Sequence, residues 1–102
     1  MNNIISNRAN EIIRLCVIYN VKNLYAFGSV CNSNFNDSSD IDLLVAFDKN
    51  ISIEKYTDNY FELHYELEDL FKRKIDLITD NSLSNPFLIK TIDLTKQLIY
   101  AD

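Results

Sequence analysis

Asn23-Leu24-Tyr25-Ala26-Phe27-Gly28-Ser29 and, after a gap of ten residues, Asp40-Ile41-Asp42-Leu43-Leu44-Val45-Ala46-Phe47 are the two stretches on which the reading of this chain turns. Each has the short, apolar, β-branched and aromatic character of a buried strand. In the second, Asp40 and Asp42 stand two apart, so both carboxylates project from one face. Two ionised carboxylates side by side among aliphatic neighbours repel, and their desolvation is costly unless a positive charge lies between them. A hard divalent cation meets that need: Mg²⁺ takes one or two protein carboxylates and completes its octahedron with water and phosphate oxygens. The first strand delivers Gly28-Ser29 to such a phosphate. Glycine lets backbone approach closely, and serine offers a hydroxyl and an N–H.

Asp76 is a third acid, alone in the apolar run Lys74-Ile75-Asp76-Leu77-Ile78. Three carboxylates on neighbouring strands can hold two metal ions, which position a hydroxyl, neutralise a triphosphate and stabilise leaving pyrophosphate.

Gly28-Ser29, the ten-residue gap, Asp40-x-Asp42 and the later Asp76 resemble the minimal nucleotidyltransferases of the DNA-polymerase-β superfamily, small partners of HEPN-domain proteins in prokaryotic toxin–antitoxin modules. The resemblance spans nearly the whole chain. It implies an α/β (α+β) domain with a small mixed β-sheet of three or more strands flanked by helices. It also implies transfer of AMP from ATP, with Gly28 and Ser29 on the phosphates and two Mg²⁺ ions on Asp40, Asp42 and Asp76. Asp76 helps to activate the acceptor hydroxyl, a tyrosine of the HEPN partner. One departure stands out: many members carry arginine soon after Gly-Ser, and here Val30-Cys31-Asn32 follows.

Composition bounds the rest. In 102 residues with 47% hydrophobic and 25% charged content there is room for one domain, 1–102, with one core. Average usage of about 7% glycine would give some seven, and the chain has 1. Its retention at a strand end points to a position other residues cannot fill, against the plainer alternative of a tight turn. No run of 18 apolar residues occurs, and Met1-Asn2-Asn3-Ile4-Ile5-Ser6 lacks the pattern of a signal peptide, so the expected location is the cytoplasm and no membrane partner is expected. Cys16 and Cys31 are then free thiols.

A net charge of −5 with dispersed basic residues suits a nucleic-acid substrate poorly. The one basic cluster, Lys72-Arg73-Lys74, follows a helical pattern and complements the dipole at its end; the alternative is a contact to ATP phosphates or to a partner. His64, the sole histidine, has no second histidine or cysteine at ligand spacing and is read as structural.

By period, residues 4–19 form a helix with an apolar stripe of Ile5, Ile12, Ile13, Cys16 and Val17. Strands are expected over 24–27, 41–47 and 74–78, with a polar loop at 29–39 that can open with a helical turn. Ser52 caps a long helix over 53–71, whose stripe is Ile53, Tyr56, Tyr60, Leu63, Leu67 and Phe71. Tyr60, Phe61 and Tyr65 cannot all face one sheet, so part of this helix is expected at an interface. Asn85-Pro86 opens a last helix to about Thr95, and 97–100 is its final turn or a short strand. The domain has no room for the helical additions that shape a small-molecule acceptor pocket in relatives acting on aminoglycosides, which favours a protein acceptor. Two alternatives remain: a catalytically weak antitoxin that neutralises its partner by binding alone, and a nucleotide-sensing module. A homo-oligomer also stays open.

Overall fold

The computed structural model describes residues 3–102. Met1 and Asn2, the start of the segment inspected for a signal peptide, lie outside them. Helices α1 (Asn3–Ser6) and α2 (Ala9–Ile18) lead into strand β1 (Val21–Phe27). A 3-10 turn at Gly28–Cys31 and a polar loop follow, then β2 (Ile41–Phe47), the long helix α3 (Ile53–Phe71), β3 (Ile75–Thr79), α4 (Pro86–Thr95) and β4 (Gln97–Ala101). The sheet order is β3-β2-β1-β4. β2 is antiparallel to β1 and parallel to β3, and β4 runs antiparallel to β1. This is the mixed sheet expected, and its fourth strand is the tail, for which the sequence allows either a helical turn or a strand.

Period two divides the sheet into faces. Leu24 and Ala26 of β1, Ile41, Leu43 and Val45 of β2, and Ile75 and Leu77 of β3 join the main core with Ile12 and Cys16 of α2 and Leu63, Leu67 and Phe71 of α3. On the other face Phe27 and Leu44 pack with Ile92 of α4, with Tyr25, Ile78 and Leu88 around them. Asp40, Asp42 and Asp76 fall on this second face by the same alternation. One ten-residue helix covers it only in part.

The helices end for identifiable reasons. The Ser52 hydroxyl accepts from the Lys55 N–H at 3.1 Å, and the Asn85 side chain accepts from Phe87 N–H at 2.9 Å ahead of Pro86. These are the caps expected from sequence. Two apolar stripes need correction. The N-terminal helix breaks at Asn7-Arg8, and α2 buries Ile12 and Cys16 with Leu15 and Tyr19 partly covered, whereas Ile13 and Val17 are 41% and 62% exposed. The contact line lies on the Leu15 side of Cys16 rather than the Val17 side. Ile53 is 82% exposed.

A buried polar residue takes part in the α3 packing instead. The Asn59 amide donates to Tyr19 O at 2.9 Å and to Asn20 Oδ1 at 3.0 Å. It closes the end of α2, where Asn20 adopts a left-handed φ of 61°. Phe61 and Tyr65 are 64% and 70% exposed, so the outer face of α3 carries the aromatics that could not all reach the sheet. Among the described residues no helix is long and apolar enough to cross a membrane.

Candidate active site

Four strand and turn positions converge at one end of the sheet. Asp42 pairs in antiparallel register with Phe27 and in parallel register with Asp76. Residue 28 therefore arrives beside Asp42 as the chain leaves β1. Gly28 has φ +74°, a backbone conformation that L side chains avoid, and a Cβ built on it would lie 2.5 Å from Asp42 Oδ2. Both the angle and the contact disfavour a side chain here and set the Gly28 backbone directly against the Asp42 carboxylate. Ser29 follows within the 3-10 turn, half-buried, and its hydroxyl makes no hydrogen bond among the described residues. Val30, the next residue, is fully buried in the core.

The structure brings Asp40, Asp42 and Asp76 to adjacent strands on one face, as the spacing predicts. Burial first, then a hydrogen bond with Asp76, and then the negative charges of Asp76 and Asp40 push the Asp42 carboxyl up to about 6; Lys74 pulls the other way. An acid held above its ordinary range by burial and then by neighbouring like charges is one whose ionised form a cation stabilises. The donors are all carboxylate oxygens, the set that suits Mg²⁺. Three such acids, a backbone cradle without a side chain and a free hydroxyl fit a metal-bound triphosphate. Among the described residues, however, no three His, Cys, Asp or Glu side chains already surround a common point. An ammonium stands in their midst: Lys74 Nζ lies 3.7 Å from Asp40 Oδ2 and 3.8 Å from Asp76 Oδ1.

Lys74, which the sequence marks only as one member of the basic triplet, stands beside these acids, and a signal for its position exists. Residues 74 and 76 share a face by strand period, and the parallel register of Ile41 with Ile75 sets residue 40 beside 74. The basic triplet divides into three roles. Lys72 ends α3 with a left-handed φ of 53° and pairs with Asp69 at 2.8 Å. Arg73 donates to Asn36 O at 3.1 Å and Ser39 O at 2.9 Å and lies over the Phe35 ring, clamping the polar loop that leads to Asp40. Only Lys72 sits as a helix-end cation, so the reading of the whole cluster as a dipole partner is corrected by the loop clamp and the acid contact.

Three α3 side chains hold the outer edge of β3, which carries Asp76. Tyr60 Oη donates to Leu77 O at 2.6 Å, His64 Nε2 stands 2.7 Å from Ile75 O, and a Glu68 oxygen accepts from the Ile75 N–H at 3.1 Å. They are spaced i, i+4 and i+8, so one helix face satisfies the unpaired backbone of an edge strand. His64 is structural, as expected. Cys16 and Cys31 are free thiols, and burial pushes the Cys16 thiol up to about 12.

Comparisons with known proteins agree with this geometry. The family described as "Polymerase beta, Nucleotidyltransferase" matches residues 10–102. "Putative protein adenylyltransferase MJ0126" of Methanocaldococcus jannaschii is 40% identical over 82 residues, 80% of this chain and 78% of the relative. MJ1217 of the same organism, named in the same way, matches to the same extent. Among solved structures, one described as a "putative minimal nucleotidyltransferase" superposes with a TM-score of 0.75 at 24% identity, covering 95% of each chain. A chain of a toxin–antitoxin complex with AMP-PNP gives 0.71 at 22% identity, covering 92% of this chain and 73% of that one. A chain from the complex of tri-AMPylated Shewanella oneidensis HEPN toxin with MNT antitoxin gives 0.66 at 21%, covering 96% and 73%. At these identities the structural likeness speaks for the fold.

Proposed function

The chain belongs to the polymerase-β nucleotidyltransferase family, and from that premise we propose that it transfers AMP from ATP to a tyrosine hydroxyl of a HEPN-domain toxin, acting as its antitoxin. The observation that carries this reading is the meeting of Asp40, Asp42 and Asp76 on one face with Gly28 pressed against Asp42. The names of the 40%-identical relatives specify protein adenylylation, and structural neighbours include an AMP-PNP complex and an AMPylated HEPN toxin. A net charge of −5 supports a protein acceptor over nucleic acid.

In the proposed reaction Gly28 and Ser29 present backbone N–H groups and a hydroxyl to the triphosphate. Asp40 and Asp42 would hold Mg²⁺, and Asp76 orients the acceptor hydroxyl. The acceptor oxygen forms a bond to the α-phosphorus as the bond to the β-phosphate bridging oxygen breaks. Pyrophosphate leaves, and the hydroxyl proton passes to Asp76. Bound Mg²⁺ ions supply neutralisation of the charge that builds on the triphosphate and on the departing pyrophosphate.

Incubation with a HEPN-domain partner protein, ATP and Mg²⁺, read by mass spectrometry of the partner, tests this directly. Added AMP on a tyrosine, lost with Asp76→Ala, supports transfer. Neutralisation of the partner without added mass, equal in wild type and Asp40→Ala, makes the protein a binding antitoxin instead.

A further inference from the structure

We propose that Lys74 is a resident counter-cation of the acidic site, which an arriving divalent metal displaces and which then turns to the phosphates of the nucleotide. The inference rests on the reading of the acidic triad as a metal–nucleotide site and adds to it a residue and an order of events. Its ground is placement. Lys74 Nζ is 3.7 Å from Asp40 Oδ2 and 3.8 Å from Asp76 Oδ1, bridging acids from two strands. The backbone holds it there, since Ile41 N–H donates to Lys74 O at 3.2 Å and Ile41 stands in register with Ile75.

The neighbouring cations are committed elsewhere. Arg73 is engaged by two loop carbonyls and the Phe35 ring, and Lys72 by Asp69. Lys74 alone of the triplet faces the acids. With Asp40, Asp42 and Asp76 ionised, three negative charges and one positive leave a deficit that a divalent ion can fill. Both contacts are long and the lysine side chain is 66% exposed, so each pair is individually weak. A doubly charged ion with direct carboxylate coordination therefore displaces the ammonium. A lysine stem is flexible enough to leave the acids and follow an anion. The triphosphate is the anion that then enters.

Mn²⁺ alone, without nucleotide, is the probe, with free ion read by electron paramagnetic resonance in wild type, Lys74→Met and Lys72→Met. Lys72→Met makes the same change in net charge away from the acids. Lys74→Met should bind Mn²⁺ several-fold more tightly than wild type, while Lys72→Met matches wild type. With the metal saturating, ATP should bind Lys74→Met roughly tenfold more weakly by calorimetry, a loss of about 1.4 kcal/mol. Equal Mn²⁺ affinities in the two variants, or unchanged ATP affinity in Lys74→Met, overturns the proposal and leaves the metal site standing. Absence of Mn²⁺ binding in wild type overturns the metal site itself and the proposal with it.

Discussion

Asp42 and Asp76 stand opposite each other in parallel register, one on each of two adjacent strands, with a lysine reaching Asp76 from the strand position two residues earlier. A parallel pair of strands sets equivalent positions side by side, so two acids in register become one electrostatic unit. The chemistry of the site follows from that pairing more than from either acid alone, and so do the first two predictions.

Replacing Asp42 by Asn should remove metal-dependent nucleotide binding without weakening the apo fold, because it relieves repulsion from Asp76 and Asp40. ATP with Mg²⁺ at one hundred times its dissociation constant should stabilise wild type by about 2.7 kcal/mol. A thermal shift measured with and without Mg²⁺ reads both effects. Equal ATP shifts in the two proteins would take Asp42 out of the site.

The pH dependence has a defined sign. The folded Asp42 carboxyl titrates near 6 against an ordinary 3.8, so folding favours its protonated form. That contribution is fully present below about 3.8 and is lost as pH rises through about 6. The stability of Asp42→Asn minus that of wild type should therefore grow between about pH 4 and 7 and level off above. Denaturant titrations of both proteins across that range test it, and a flat difference contradicts it. Protons also compete with the metal, so Mn²⁺ affinity should fall as pH drops below about 6.

Gly28→Ala should lose nucleotide binding and also some stability. The left-handed φ alone costs about 1–2 kcal/mol for a residue with a Cβ, and the added methyl meets the Asp42 carboxylate. Removing that carboxylate should relieve the second cost only. In urea unfolding, Gly28→Ala placed in an Asp42→Ala background should destabilise less than in wild type; additive effects would separate the two residues.

At the β3 edge, His64→Ala leaves the Ile75 carbonyl without its 2.7 Å partner. A loss of about 1 kcal/mol is expected, with faster amide exchange along β3 than along β1 or β2. His64→Gln, whose amide can donate to the same carbonyl, should recover part of it. Uniform exchange across the sheet in His64→Ala would mean that the edge bond does not hold β3 in place.

Much of the site is legible in the linear sequence. Asp40 and Asp42 share a strand face, Asp76 is isolated among aliphatics, and Gly28 is the sole glycine, so local chemistry alone marks each position. Element types are equally legible where caps and periods agree, as at Ser52 and Asn85-Pro86. Departures occur where a residue sits at the rim of a stripe: Ile13, Val17 and Ile53 have the right spacing, but which side of a helix touches the sheet depends on how the helix is docked. Strand β4 is ambiguous in sequence for a related reason, since its place as an edge partner of β1 comes from a pairing distant along the chain.

By itself, then, the sequence determined which residues are acidic, where the chain turns without a side chain, and which segments alternate at period two or near 3.6, because those are properties of neighbours along the chain. Only the tertiary structure decided that β3 lies parallel to β2 with Asp76 at Asp42. The same register sets Lys74 beside Asp40, frees it from Lys72 and Arg73, and lets Tyr60, His64 and Glu68 close the β3 edge. Strand register and helix docking are fixed by contacts between distant segments that bury one face and satisfy backbone polar groups, and a linear pattern does not contain those pairings.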